Sequence, residues 1–393
     1  MSRISYLTQI EFGPGEIASA PAAIAAIGIT APLVVSDRGI EASGLLARLT
    51  DLIPNGIPVF LDVPPNPTEN AVLAALAVYR AARCNGIIAL GGGSPIDLAK
   101  GVALLATHPH PLAQYAAILG GIERISASVA PVLAIPTTAG TGAEVGRAAL
   151  LTLSDGRKLG LISPHLIPRW VICDPELTLG LPPVLTAATG LDALSHCIET
   201  LFSPRFNPPA EAIALDGASR LWRNIEAAVS NGDDLRVRGE MMMGALEGGL
   251  SFQKGLGAVH SLSHALGAIS ELKLHHGTLN AILMPAVIRF NAAHVGEKLN
   301  RLCAAMGLPV GTDLANELDA MNRRLRVPAD LAALGVDASM LASVLERAQL
   351  DHSHATNPRQ ADQRDYEDIL MSVMGKRPTL TACPKPVGRS QAS

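Results

Sequence analysis

Ile87-Ile88-Ala89-Leu90-Gly91-Gly92-Gly93-Ser94-Pro95-Ile96-Asp97 is the stretch on which the reading of the fold turns. Four apolar residues predict a buried strand, and three glycines then let the backbone come close to a bulky anion. Ser94 suits an N-cap, Pro95 a first helical turn, and Asp97 the acidic place of a capping box. A strand that runs through glycines into a helix aims N–H groups and the positive helix end at a pyrophosphate. The pattern is not G-x-G-x-x-G, so by itself it also describes a tight turn into a capped helix.

Working outward, a second loop, Pro136-Thr137-Thr138-Ala139-Gly140-Thr141-Gly142-Ala143-Glu144, also follows an apolar run and adds hydroxyl donors. Strands are predicted at Leu33–Ser36, Gly86–Leu90, Val132–Ile135 and Trp170–Cys173, with helices at Thr68–Arg83 and Pro95–Ala106 between them. This alternation predicts a parallel sheet flanked by helices, an α/β Rossmann-like unit with ligands beyond the carboxyl ends of its strands. Asp37, just past the first of these strands, is placed to accept from an adenosine ribose and to repel a 2′-phosphate, which favours NAD. Arg38 beside it leaves NADP open.

After Leu181 the pattern changes. Pro182 and Pro183 stop one element, and Arg236–Leu250, Leu256–Ala268, Thr278–Phe290 and Asp337–Leu350 all have helical spacing. The expected division is therefore residues 1–181, α/β and dinucleotide-binding, and 182–393, all-α, with a weakly ordered tail from about residue 376. The 393 residues suit two domains, and with 48% hydrophobic but 3% aromatic residues the cores must be aliphatic. A formal charge of −4 offers nothing general to phosphate backbones, so nucleic acid is not an expected partner. No run of roughly 18 apolar residues or basic-then-apolar leader is evident, and the five scattered cysteines form no C-x-x-C pair. The expectation is a soluble, cytoplasmic protein without a membrane partner.

Four of the 11 histidines fall between His260 and His276. Asp192 and His196 are spaced i,i+4, as are His260 and His264, so each pair shares a helix face. His275 and His276 precede another helix. One carboxylate with several imidazoles suits Zn²⁺ or Fe²⁺ rather than Ca²⁺ or Mg²⁺. A single such pair is more often structural; two pairs and a third histidine cluster beside a nucleotide loop reverse that weighting.

Taken together, GGGSPIDLAK (91–100), PTTAGTGAEV (136–145), DPELT (174–178), AATGLDALSHCIE (187–199), GLGAVHSLSHALGA (255–268), HHGTLNAILMP (275–285) and TNPR (356–359) resemble the iron-containing, or group III, alcohol dehydrogenase family. The resemblance spans residues 5 to 375. It implies the dehydroquinate synthase-like architecture, with an active site between a Rossmann-like domain and a helical one, and a homodimer or higher homo-oligomer. It places the metal ligands on Asp192, His196, His260 and His276, with His276 chosen over His275 because it precedes the glycine of an H-G-x-x-N-A pattern. It places dinucleotide contacts on Asp37, Asn66, Gly92, Gly93, Ser94, Asp97, Thr137, Thr138, Thr141, Lys158 and Leu177. The implied metal is Fe²⁺, with Zn²⁺ sharing the same ligands.

The implied activity is NAD(P)-linked hydride transfer between nicotinamide and a short- to medium-chain primary alcohol or its aldehyde. His264, one turn from His260, is the candidate proton relay. Phe252 and Leu256 are expected to line an apolar pocket. Lys254 and Arg147 are the cations placed to meet a substrate carboxylate, which keeps a 4-hydroxybutyrate-type ω-hydroxy acid as an alternative. A zinc enzyme like glycerol dehydrogenase and a non-catalytic nucleotide- or metal-binding protein are the remaining readings.

Overall fold

The computed structural model describes residues 8–53, 56–269 and 271–375. The expected tail from about residue 376 lies outside the described residues. Among the described residues there are eight strands: β1 (Gln9–Phe12), β2 (Pro32–Val35), β3 (Val59–Phe60), β4 (Gly86–Gly91), β5 (Val132–Pro136), β6 (Ala148–Thr152), β7 (Lys158–Ile162) and β8 (Trp170–Cys173). Six form one parallel sheet in the order β1-β8-β5-β4-β2-β3, and β6 and β7 form an antiparallel hairpin.

The sheet is covered on both faces, so its central strands are apolar throughout instead of alternating with polar residues. Leu33, Val35, Ile87, Ala89, Val132 and Ala134 point into one core, and Val34, Ile88, Leu90, Leu133 and Ile135 into the other. At β8 the alternation changes partners. Ile172 stays with the sheet core while Val171 and Cys173 enter the core of the helical half, which joins the two halves.

Five helices accompany the sheet: α1 (Ala20–Ala26), α2 (Arg38–Ala42), α3 (Leu45–Thr50), α4 (Glu69–Ala81) and α5 (Gly93–Thr107). After β2 the chain goes to β3 on one side and then to β4 on the other. The strand order therefore switches between β2 and β4, where ligands of such sheets bind. Asp37 stands just past β2, and Gly92 and Gly93 just past β4.

The helix after the glycines starts two residues earlier than expected, at Gly93 rather than Pro95. Gly92 is the N-cap and has no side chain to cap with, so Ser94 and Asp97 make other bonds. The Ser94 hydroxyl donates to the Pro65 carbonyl, and the Asp97 carboxylate accepts from Leu150 N at 3.1 Å. Both residues thus tie the glycine turn to neighbouring segments. Gly93 is held against Thr141: a Cβ there would lie 2.7 Å from its Oγ1, so the two glycine-containing loops meet without a side chain between them.

The second half is helical: α6 (Pro183–Phe202), α7 (Pro208–Ser230), α8 (Leu235–Ser251), α9 (Ala258–Gly267), α10 (His276–Asn291), α11 (Glu297–Met306), α12 (Leu314–Arg324), α13 (Leu341–Leu350) and α14 (Gln363–Ser372). Helix α6 is buried on nearly every side, among α7, α8 and α10. A helix enclosed in this way needs apolar and small residues all round, so the polar ones it carries stand out. Asp192, His196 and Glu199 are three of them. Among the described residues, no helix is long and apolar enough to cross a membrane, and Cys84, Cys173, Cys197 and Cys303 are free thiols.

Candidate active site

Asp192, His196 and Glu199 lie at i, i+4 and i+7 on α6, hence on one face. Helix α9 brings His260 to that face and α10 brings His276. Close approach of α10 depends on Gly277, where a Cβ would lie 2.2 Å from the Ala188 carbonyl oxygen of α6. The Nε2 atoms of His196, His260 and His276 are 3.8, 3.9 and 3.5 Å from Asp192 Oδ1. Asn280, one turn after His276, donates from Nδ2 to Asp192 Oδ1 at 2.7 Å and approaches His260 Nε2 and His276 Nε2 at 3.3 and 3.2 Å.

The donor set fits a divalent cation. Burial drives His196 down to about 4, outweighing the Asp192 carboxylate, and drives His276 well below its ordinary value, with the neighbouring histidines adding to the effect. Both imidazoles are therefore neutral near pH 7, the form that ligates metal. Burial also opposes protonation of His260, but Glu199 outweighs it and raises the group. Glu199 Oε2 lies 2.7 Å from His260 Nδ1, and Oε1 accepts from Val259 N at 2.7 Å. A carboxylate there assigns the proton to Nδ1 and turns the Nε2 lone pair to the cluster, the usual outer partner of a ligating histidine.

The two glycine-containing loops and this cluster line one cleft of about 1810 Å³. Of the residues expected to contact the dinucleotide, Asp37, Asn66, Gly92, Gly93, Ser94, Asp97, Thr137, Thr138, Thr141, Lys158 and Leu177 all line it. Asp37 also caps α2 by accepting from Ile40 N, and Lys158 Nζ donates to Asn66 Oδ1 at 3.0 Å. Arg38, the residue that left NADP open, is paired with Asp62 at 2.8 Å.

His264 lines the same cleft, its ring stacked on His276 with centroids 5.2 Å apart. Its Nδ1 is 2.9 Å from Asp351 Oδ2, which leaves Nε2 as the acceptor. Burial keeps His264 below its ordinary value despite Asp351, and Asp351, though buried, is held far down by His264 and His352. His264, Asp351 and His352 form a second group of potential metal ligands. The carboxylate that partners His264 lies 87 positions away in the chain, beyond any spacing signal. Glu199 and Asn280 were readable at helical spacing from Asp192 and His276.

Phe252 lies edge-on to His196 with centroids 5.3 Å apart, and Arg147 and Leu256 line the cleft as expected. Lys254 does not. Its ammonium is buried and points away, donating to the carbonyls of Thr200, Leu201 and Ser203 at 2.9, 3.1 and 2.8 Å and pairing with Glu211 at 3.0 Å. Those four acceptors occupy it, so the expectation that Lys254 meets substrate is corrected to a structural role. His275 also lines the cleft but is exposed, whereas His276 reaches Asp192.

Fold and site together have the form of a nucleotide-binding oxidoreductase with a buried Asp/His cluster suited to a divalent metal. Residues 8–175 match the family described as iron-containing alcohol dehydrogenase, and residues 186–374 match the Fe-containing alcohol dehydrogenase family, C-terminal. The chain is 49% identical to a 4-hydroxybutyrate dehydrogenase of Cupriavidus necator over 382 residues, covering 95% of this chain and all of that protein. Crystallographic 1,3-propanediol oxidoreductase superposes with a TM-score of 0.89 at 32% identity, over 95% of this chain and all of that one. A sulfoacetaldehyde reductase from Bifidobacterium kashiwanohense, solved with NAD+, has a TM-score of 0.86 at 25% identity, over 95% of this chain and 98% of that one. The chain belongs to the iron-containing alcohol dehydrogenase family and is an oxidoreductase acting on alcohol groups.

Proposed function

We propose that this protein interconverts a short primary alcohol and its aldehyde with NAD, and that its preferred substrate is an ω-hydroxy acid of the 4-hydroxybutyrate type. The observation that carries the reading is the shared cleft: dinucleotide loops, the Asp/His cluster and Arg147, which among the described residues has no carboxylate within ion-pair distance, all line it. The 49% identity to a 4-hydroxybutyrate dehydrogenase supports the acid form of the substrate.

When bound, the cation, Fe²⁺ by family with Zn²⁺ open to the same ligands, would supply Lewis acidity and the nicotinamide would supply the hydride acceptor. Asp192, His196, His260 and His276 would hold the cation, with Glu199 fixing the His260 tautomer. The loops after β4 and β5 hold the pyrophosphate, and Asp37 receives the adenosine ribose. His264, its Nδ1 proton directed to Asp351, offers Nε2 to the hydroxyl proton as that proton leaves. Phe252 and Leu256 cover the reacting carbon and keep water from it.

The same reading takes residues 1–181 as the dinucleotide unit and 182–393 as the metal and substrate unit. It includes a homodimer or higher homo-oligomer, from the family resemblance, and a cytoplasmic location, consistent with the free thiols. The test is NAD and NADP reduction by Fe²⁺- or Zn²⁺-loaded protein across alcohols, diols and hydroxy acids. Preference for NAD with 4-hydroxybutyrate over 1-butanol is expected; equal turnover of the two substrates would overturn the acid reading, and no turnover of any would overturn the enzyme reading.

A further inference from the structure

We infer that Arg147 and Arg205 form an anion-binding subsite in the cleft that receives the charged end of a short-chain substrate. This rests on the hydroxy-acid reading above and names the residues that would enforce it. Both arginines line the cleft. Among the described residues, neither has a carboxylate within ion-pair distance, whereas Arg38 is paired with Asp62, and Arg48 with Asp174 and Glu176. Arg147 makes one long hydrogen bond, from Nη2 to the Gln253 carbonyl at 3.4 Å.

Hydrogen bonds bring the segments of the two arginines together: Arg147 Nη2 reaches the Gln253 carbonyl, and the next carbonyl, that of Lys254, accepts from Ser203 Oγ at 3.1 Å, two residues before Arg205. Burial lowers Arg147 from its ordinary value, and the charge of Arg205 lowers it further. Two cations of one cleft without carboxylate partners are relieved when an anion binds between them, and a planar guanidinium offers paired donors to a carboxylate or sulfonate.

Both supporting loops are fixed by buried lysines. Lys100 Nζ donates to the carbonyls of Ala143, Gly146 and Ala148 at 2.7, 2.8 and 2.7 Å, fixing the backbone on either side of Arg147. Lys254 does the same for the segment before Arg205 through Thr200, Leu201 and Ser203. Each lysine thus holds the backbone beside one arginine, Lys254 also pairing with Glu211, so the segments that carry the subsite are fixed while the Arg205 side chain is exposed to an incoming anion.

Phe252 lies between His196 and the backbone next to Arg147. Its ring meets His196 on one side, and on the other it lies so close to Gly146 that a Cβ there would be 2.7 Å from its Cζ. The path from ligand histidine to Arg147 is therefore an aromatic wall. It suits a molecule with a hydroxyl or carbonyl at one end, an anion at the other and methylenes between them.

The test is steady-state kinetics of the metal-loaded enzyme with 4-hydroxybutyrate and with 1-butanol, which replaces the carboxylate by a methyl group. Wild type, Arg147→Gln, Arg205→Gln and the double variant are compared, with Lys273→Gln removing another cation of the same cleft. Losing one charged hydrogen-bonding partner should raise KM for 4-hydroxybutyrate roughly tenfold to a hundredfold while kcat/KM for butanol stays within about twofold. Butyrate and propanesulfonate, as competitive inhibitors of butanol oxidation, should weaken in parallel and show which anion the pair prefers.

Equal loss on both substrates in the arginine variants, or equal loss of hydroxy-acid selectivity in Lys273→Gln, would overturn the subsite. So would a wild-type preference for 4-hydroxybutyrate that survives in the double variant; the hydroxy-acid reading would then stand without it. Absence of that preference in the wild type would instead remove the reading itself.

Discussion

Replacing Glu199 by glutamine should release metal while leaving the fold intact. In the native site one carboxylate serves His260 Nδ1 at 2.7 Å through Oε2 and Val259 N at 2.7 Å through Oε1, and lies 3.4 Å from His260 N. All of these partners donate. Glutamine keeps one acceptor oxygen and substitutes an NH₂, so either the imidazole or the helix N-terminus faces a donor. If the amide oxygen stays with Val259, His260 loses its partner and its Nε2 lone pair is no longer assigned to the cluster. The loss of such an outer carboxylate typically costs 10- to 100-fold in metal affinity, about 1.4–2.7 kcal/mol. Competition with a chromophoric chelator measures the affinity, and a thermal melt of metal-free protein checks the fold. A Glu199→Gln protein that binds metal within about threefold of wild type would refute the tautomer argument.

Three further outcomes follow from the same geometry. His276→Ala should lose stoichiometric metal while His275→Ala retains it, because His276 is the one 3.5 Å from Asp192; metal analysis of the two purified proteins decides. Asp37→Ser should raise kcat/KM for NADP relative to NAD by roughly tenfold, about 1.4 kcal/mol, as the repulsion of a 2′-phosphate is removed; an unchanged cofactor ratio would show that Asp37 does not face the ribose. Glu247 is raised from 4.5 to about 8 by burial, by a hydrogen bond to Asp216 and by its charge, against the pull of Arg220. Its folded form keeps a proton that the unfolded chain releases, so its contribution is present below the unfolded value and is lost as pH rises through about 8. Glu247→Gln should therefore stabilise by about 2 kcal/mol near pH 9, after discounting for solvent screening, and by much less near pH 5. Paired thermal melts at the two pH values measure the difference.

How far the sequence could be read follows from where each signal lies. Strands β2, β4, β5 and β8 are apolar runs ended by Gly, Pro or Asp, and each stands within a residue or so of its expected place. The hairpin β6–β7 and the edge strands β1 and β3 escaped notice, since Gln9–Phe12 is half-exposed and β3 has two residues. Ser94 and Asp97 fit a cap in the abstract, but the helix began at Gly93, and their side chains were free to join segments that only the fold brings near. Asp192, His196 and His260 were legible because i,i+4 spacing survives into the structure unchanged. Spacing does not say which way an unpartnered lysine turns, so Lys254 was read toward substrate when three backbone carbonyls had claimed it. Asp351 and Arg205 carry no local pattern, and their meaning comes from the neighbours that packing supplies.

The most direct test of the site is anomalous diffraction at the iron edge from crystals loaded with Fe²⁺ and NAD. The account predicts one strong peak at about 2.1 Å from ligand atoms of Asp192, His196, His260 and His276, with the dinucleotide along the loops after β4 and β5. A peak centred on His264, Asp351 and His352, or none in the cleft, would contradict it.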